Sequence, residues 1–203
     1  MSEAIFAAKP KKTPAEPRKV SIEAYFRAEE KSFEKNEYHN GIIVKMAGGT
    51  YNHGSLAVNA STILNVFVES NDLSFFVNGS DLKIRIEESN RFVYPDALVI
   101  CDKPIFYNDR KDTIINPILI VEVLSNSTKN YDKTTKFEMY RTLESFKEYV
   151  LIHQDRKHVS VYSKQPDATW ILRDYDGDDA TAKLYHIEQC PLPLKRLYRG
   201  LTL

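Results

Sequence analysis

The chain has 203 residues, 42% hydrophobic and 28% charged, the composition of an ordinary folded chain that can bury a core without staples. Its 28 basic and 28 acidic residues cancel, which excludes a uniformly basic nucleic-acid coat protein and leaves any phosphate binding to a local patch. Cys101 and Cys190 form neither a disulfide framework nor a CxxC zinc pair, and no segment approaches the roughly 20 apolar residues of a membrane span. The N-terminus lacks a signal-peptide core, so a reducing, cytoplasmic setting without a membrane is expected.

In chain order, residues 1–19 carry Pro10, Pro14 and Pro17 among lysines and arginines and read as a flexible basic tail; residues 20–203 read as one domain. Ser21 is placed to cap a helix over 22–31, with Glu23 in its first turn. Asn40-Gly41 between apolar-leaning flanks predicts a hairpin, because both residues tolerate positive φ. Leu56, Ile63, Leu64, Phe67 and Val68 recur at helical spacing across 53–69. Leu82, Ile84 and Ile86 alternate with Lys83, Arg85 and Glu87, as in a half-buried strand. The continuous apolar runs 97–101 and 118–124 suit strands covered on both faces. A helix is expected over 132–143, then strands over 148–153, 159–163 and 170–175, with a turn at Asp176-Gly177. The order predicts a mixed α/β fold.

Two acids stand against strands that ought to be dry. Asp96 enters the first apolar run and Glu122 lies inside the second. A desolvated carboxylate costs several kcal/mol unless a cation compensates it. If the two strands are antiparallel neighbours, the start of one lies beside the end of the other, and the two carboxylates converge. Hard oxygen donors of this kind favour Mg2+ or Mn2+. Asp132, Lys136 and Tyr140, spaced by four, share a helical face just beyond Glu122, from which Lys136 can lean back toward the acids. Glu37 is a further candidate ligand, read as exposed before the hairpin, and His53 a candidate for phosphate contact or proton transfer. Taken singly, each acid also fits a structural ion pair, and the lysine a solvated helix face. The pair Gly48-Gly49 lacks the Lys-Ser/Thr of a phosphate loop, and no GxSxG elbow occurs.

Tyr94-Pro95-Asp96, Glu122-Val123-Leu124-Ser125, Asp132…Lys136…Tyr140 and Glu148-Tyr149-Val150-Leu151-Ile152 together resemble the bacterial Uma-two family, over roughly residues 20–165. That family is a group of restriction-endonuclease-like proteins of the PD-(D/E)XK superfamily. The resemblance implies a restriction-endonuclease-like mixed sheet flanked by helices. It implies Asp96 and Glu122 as metal-binding acids, and Glu37 as an additional acid from the first helical region. Superfamily members usually carry lysine two residues after the second acid; here that position is Leu124, and Lys136 resembles a migrated substitute. The expected function is metal-dependent hydrolysis of nucleic acid, most readily DNA. Mg2+ would sit between Asp96, Glu122, the Val123 carbonyl and Glu37, Lys136 would be catalytic, and Asp132, Tyr140 and His53 would support it. A homodimer is expected by analogy with relatives that cut two strands. The rivals are a catalytically silent binding module on the same fold, favoured by Leu124, and a small-molecule metallohydrolase using the same acids.

Overall fold

A computed structural model describes residues 18–125 and 129–203. The expected tail, apart from Arg18 and Lys19, lies outside the described residues. The first helix, α1 (Ile22–Glu29), is shorter than its periodicity predicts, and Ser21 caps it by accepting from the Ala24 N–H at 3.2 Å. The hairpin forms where expected, from β1 (Asn36–His39) and β2 (Ile42–Lys45), with Asn40 at φ 47° and Gly41 at φ 99°. A side chain at Gly41 would also meet Lys19, whose Cβ lies 3.0 Å from an ideal Cβ there. The long helix α2 (Tyr51–Ser70) is capped by Thr50 and buries Leu56, Ala60, Ile63, Leu64 and Val68.

The central sheet contains β3 (Phe75–Gly79), β6 (Ala97–Cys101), β9 (Pro117–Leu124), β10 (Glu148–His153), β11 (His158–Lys164) and β12 (Trp170–Asp176), in the order β12-β11-β10-β9-β6-β3. It is mixed: β9 and β10 run parallel and the other pairs antiparallel. α2, α5 (Leu194–Leu197) and the hairpin β13 (Thr181–Leu184) with β14 (Cys190–Pro193) contribute to the core on one face. On the other face lie the helical segment 129–140 and a second mixed sheet, ordered β2-β1-β5-β4-β8-β7. That sheet adds β4 (Lys83–Ile86), β5 (Arg91–Val93), β7 (Phe106–Tyr107) and β8 (Arg110–Ile114). The structure therefore has two large sheets where one was expected.

Strand β4 departs from its alternating pattern, because Lys83 and Arg85 are buried along with Ile84 and Ile86. The Lys83 ammonium reaches Asp112 at 2.7 Å and the Tyr94 hydroxyl at 3.1 Å, and the Arg85 guanidinium lies 4.7 Å over the Phe92 ring. Tyr25, Phe26, Tyr38 and Phe92 form a separate aromatic core beneath α1.

Glu148, at the start of β10, is wholly buried and accepts from Ser163 Oγ and from the N–H groups of Tyr185 and His186 at 2.8, 2.9 and 3.1 Å. It pins the chain after β13 to the central sheet, and burial pushes its carboxyl up to about 7 against those three donors. Glu148→Ala would orphan two main-chain donors and is expected to lower stability by about 2–4 kcal/mol in urea unfolding. A loss well under 1 kcal/mol would contradict this role.

Candidate active site

The antiparallel register of β6 and β9 pairs Ala97 with Val121, so one further step sets Asp96 across from Glu122. Glu122 lies between Ile120 and Leu124 on the face covered by the helical segment. That segment comprises α3 (Lys129–Tyr131), a π-helical turn (Asp132–Lys136) and α4 (Phe137–Tyr140), followed by turns rather than a helix to 143. Lys136 Nζ donates to Glu122 Oε1 at 2.8 Å, and the Tyr140 hydroxyl donates to the same oxygen at 2.9 Å. Asp132 Oδ1 lies 3.3 Å from Lys136 Nζ. Glu122 thus has the lysine partner that a purely structural ion pair would also give it.

Asp96 Oδ2 accepts from the Val123 N–H at 2.7 Å and lies 3.3 Å from His53 Nε2. His53 is placed by Thr50, whose hydroxyl accepts from the His53 N–H and donates to Gln154 Oε1 at 2.7 Å. Glu37 corrects two expectations: it comes from strand β1, not from a helix, and it is buried, not exposed. Its Oε1 accepts from the Tyr94 N–H at 3.1 Å and its Oε2 lies 2.7 Å from His39 Nε2.

Glu37, Asp96, Glu122, Asp132, Lys136 and His53 all line one cavity of about 460 Å³. A wider groove of about 1070 Å³ runs along α2 and β3 and shares His53, but of the four cavity acids it touches only Asp96. The acids gather in the smaller space. Burial pushes the Glu122 carboxyl up to about 8, with Asp96 and Asp132 acting in the same direction and Lys136 against them. Burial also acts to lower Lys136, but Glu122, Asp132 and Glu37 outweigh it and hold its ammonium charged. For Glu37 the His39 hydrogen bond, Lys136 and the Tyr94 N–H outweigh burial and hold the carboxyl low. The hydrogen bond to Asp96 raises His53.

Among the described residues, no three His, Cys, Asp or Glu groups stand together as a preformed metal cage. One oxygen of Glu122 is engaged by Lys136 and Tyr140, and one of Asp96 by Val123. Yet four carboxylates face the cavity against the ammonium groups of Lys136 and of Lys45, which is already paired with Glu34, and burial makes Glu122 hard to ionise. A divalent cation bound through oxygen fits that surplus. Sequence reasoning missed His39, Tyr131, Arg91 and Gln154. His39 carried a signal, since it follows Glu37 by two and so shares its strand face. Tyr131 stacks on His39 at 6.3 Å between ring centroids and accepts from Arg91 Nη1 at 3.1 Å.

A mixed central sheet with acids at the meeting ends of β6 and β9 is the restriction-endonuclease-like α/β fold. A solved structure described as "a putative nuclease belonging to DUF820", from Anabaena variabilis ATCC 29413, superposes with a TM-score of 0.68 at 17% identity, covering 85% of this chain and 94% of that one. Residues 22–190 match the family model "Uma2: Putative restriction endonuclease", and the chain belongs to that family. Among its relatives are two Synechocystis sp. PCC 6803 proteins. The protein sll1609 is 38% identical over 77% of this chain and 87% of its own length; slr1290 is 36% identical over 79% and 83%. Among the described residues, no helix is long and apolar enough to cross a membrane.

Proposed function

We propose that the chain is a divalent-metal-dependent endonuclease that hydrolyses phosphodiester bonds of DNA. The observation that carries this is the convergence of Asp96 and Glu122, from adjacent antiparallel strands, on one cavity with the buried ammonium of Lys136. The family and the nuclease of like fold support the reaction class.

Asp96 and Glu122 would hold Mg2+ or Mn2+, with Glu37 assisting from β1. The N–H and C=O of a strand residue project to the same side, so the Val123 carbonyl, beside the N–H that Asp96 accepts from, would complete the donor set. When bound, the ion polarises a phosphate oxygen and lowers the pKa of a water. Lys136 would neutralise charge developing on the attacked phosphate or hold the attacking water, taking the part that Leu124 cannot. Asp132 keeps Lys136 charged and in place, Tyr140 orients Glu122, and His53 with the Val123 N–H fixes Asp96. Cutting both strands of a duplex would call for two copies of the chain.

Supercoiled plasmid incubated with Mg2+ or Mn2+ tests the reading. Wild type is expected to nick it, chelator to stop it, and Asp96→Asn to be slower by about 100-fold or more. Equal nicking by both proteins, or none by wild type with either metal, would instead support the silent binding module.

A further inference from the structure

The acid cavity repels a polyanion, so a nucleic-acid backbone has to be held by cations beside it. The cations around the cavity are unevenly committed. On the side of α2 and β3, Lys35 lies 2.6 Å from Asp81 and donates to Ser80, and Lys45, which lines the cavity itself, lies 2.5 Å from Glu34. The wide groove there also exposes Glu34, Asp81 and Asp96, so its lining carries more negative than positive charge.

The rim near Tyr131 and Gln154 differs. Arg91 stands across from His39 in the β1–β5 register and spends Nη1 on the neutral Tyr131 hydroxyl, while its Nε is buried without a partner. Lys133 follows Tyr131 by two residues in the π-helical turn, and Arg156 follows the cavity residue Gln154 by two. None of the three has an ion-pair partner among the described residues. Lys133 and Arg156 lie near His153, which pairs with Leu124 at the end of the strand holding Glu122. Burial and these two cations together push the His153 imidazole down to about 4. Of the acids on this side, Asp178 pairs with Lys157 at 2.6 Å and Asp176 with His158 at 2.6 Å, while Asp155 lies 3.6 Å from the neutral His153 ring. At the same rim, the Tyr131 ring lies against His39 and lines the cavity, an aromatic surface of the kind on which bases stack.

We infer that the phosphate backbone of the nucleic acid crosses the cavity over the lip formed by Arg91, Lys133 and Arg156, and does not run along the larger groove between α2 and β3. This rests on the nuclease reading. A half-buried guanidinium without an anion is completed by a phosphate, and Lys133 and Arg156 extend the same line past the end of β9 and β10.

The test is binding of fluorescein-labelled DNA of about 20 nucleotides, single-stranded and duplex, in EDTA across a salt series, so that cleavage does not intervene. Lys133→Ala/Arg156→Ala is expected to weaken the better-bound form by about tenfold or more and to reduce the slope of log K against log salt by roughly 1.5–2. Adding Arg91→Ala extends the loss, and the double variant keeps the test independent of strand β5. Lys35→Ala, on the groove side, is expected to leave affinity and slope unchanged. If the double variant binds like wild type, or Lys35→Ala weakens binding more than it does, the inference falls while the nuclease reading stands. If wild type binds neither DNA form and nicks no plasmid, the nuclease reading itself fails.

Discussion

Glu122→Gln is expected to abolish metal-dependent cleavage and, independently of activity, to remove the thermal stabilisation that Mn2+ or Mg2+ gives the wild type. The substitution keeps the shape of the side chain and an oxygen able to accept from Lys136 Nζ and the Tyr140 hydroxyl. Lys136 also keeps Asp132 at 3.3 Å, so the variant should fold. A ligand at 100 times its dissociation constant stabilises by about 2.7 kcal/mol, which for a chain of this size is a rise in Tm of roughly 5–10 °C. The wild type should show this rise and the variant should not. Equal rises in both would place the ion elsewhere.

The same site predicts a pH dependence. Burial raises the Glu122 carboxyl from 4.5 to about 8 in the metal-free protein. A raised carboxyl contributes stability that is complete below its unfolded pKa and is lost as pH rises through the folded one. The metal-free wild type should therefore lose stability between about pH 4.5 and 8, and Glu122→Gln should lose less. A metal ion takes the place of that proton, so its stabilising effect should grow with pH over the same range. A metal-induced shift independent of pH would show that Glu122 is not among the ligands.

The parts of this site legible in the sequence were those governed by local rules. Continuous apolar runs around Asp96 and Glu122 fixed two covered strands, and their antiparallel pairing brings both acids to one end of the sheet. Four-residue spacing placed Lys136 and Tyr140 on the side of the helix that meets Glu122. What failed depended on partners distant in the chain. Lys83 and Arg85 read as a solvent face, yet both are buried because Asp112, Tyr94 and Phe92 arrive from other strands. The second sheet was hidden for the same reason: β5, β7 and β8 are short, and β4 pairs in parallel with β8 across a long connection. Glu37 looked exposed because the Tyr94 N–H that accompanies His39 around it is brought there only by β1 pairing with β5. The π-helical turn at Asp132–Lys136 leaves no mark in residue spacing, because its wider winding still keeps Asp132 beside Lys136.

Lys136→Met separates catalysis from metal binding at this site. Lys136 is buried and faces Glu122, Asp132 and Glu37, which together hold its charge. Methionine fills comparable space without that charge, leaving Glu122 with the Tyr140 hydroxyl as its remaining described donor. Losing a preorganised cation at a phosphate undergoing attack is expected to slow cleavage by about 100- to 1000-fold. The ammonium and a metal ion compete for the charge of Glu122, so the variant should bind Mn2+ as tightly as the wild type or more tightly, seen as an equal or larger rise in Tm. The metal-free variant should also be less stable than wild type, because Glu122 and Asp132 lose the ammonium that lies between them. If the lysine were only a structural partner of Glu122, supplying metal would restore both stability and cleavage. Cleavage within a few-fold of wild type at saturating Mn2+ would remove Lys136 from the catalytic role. Loss of cleavage with an undiminished metal response assigns it to the phosphate, the position left vacant where Leu124 follows Glu122 by two.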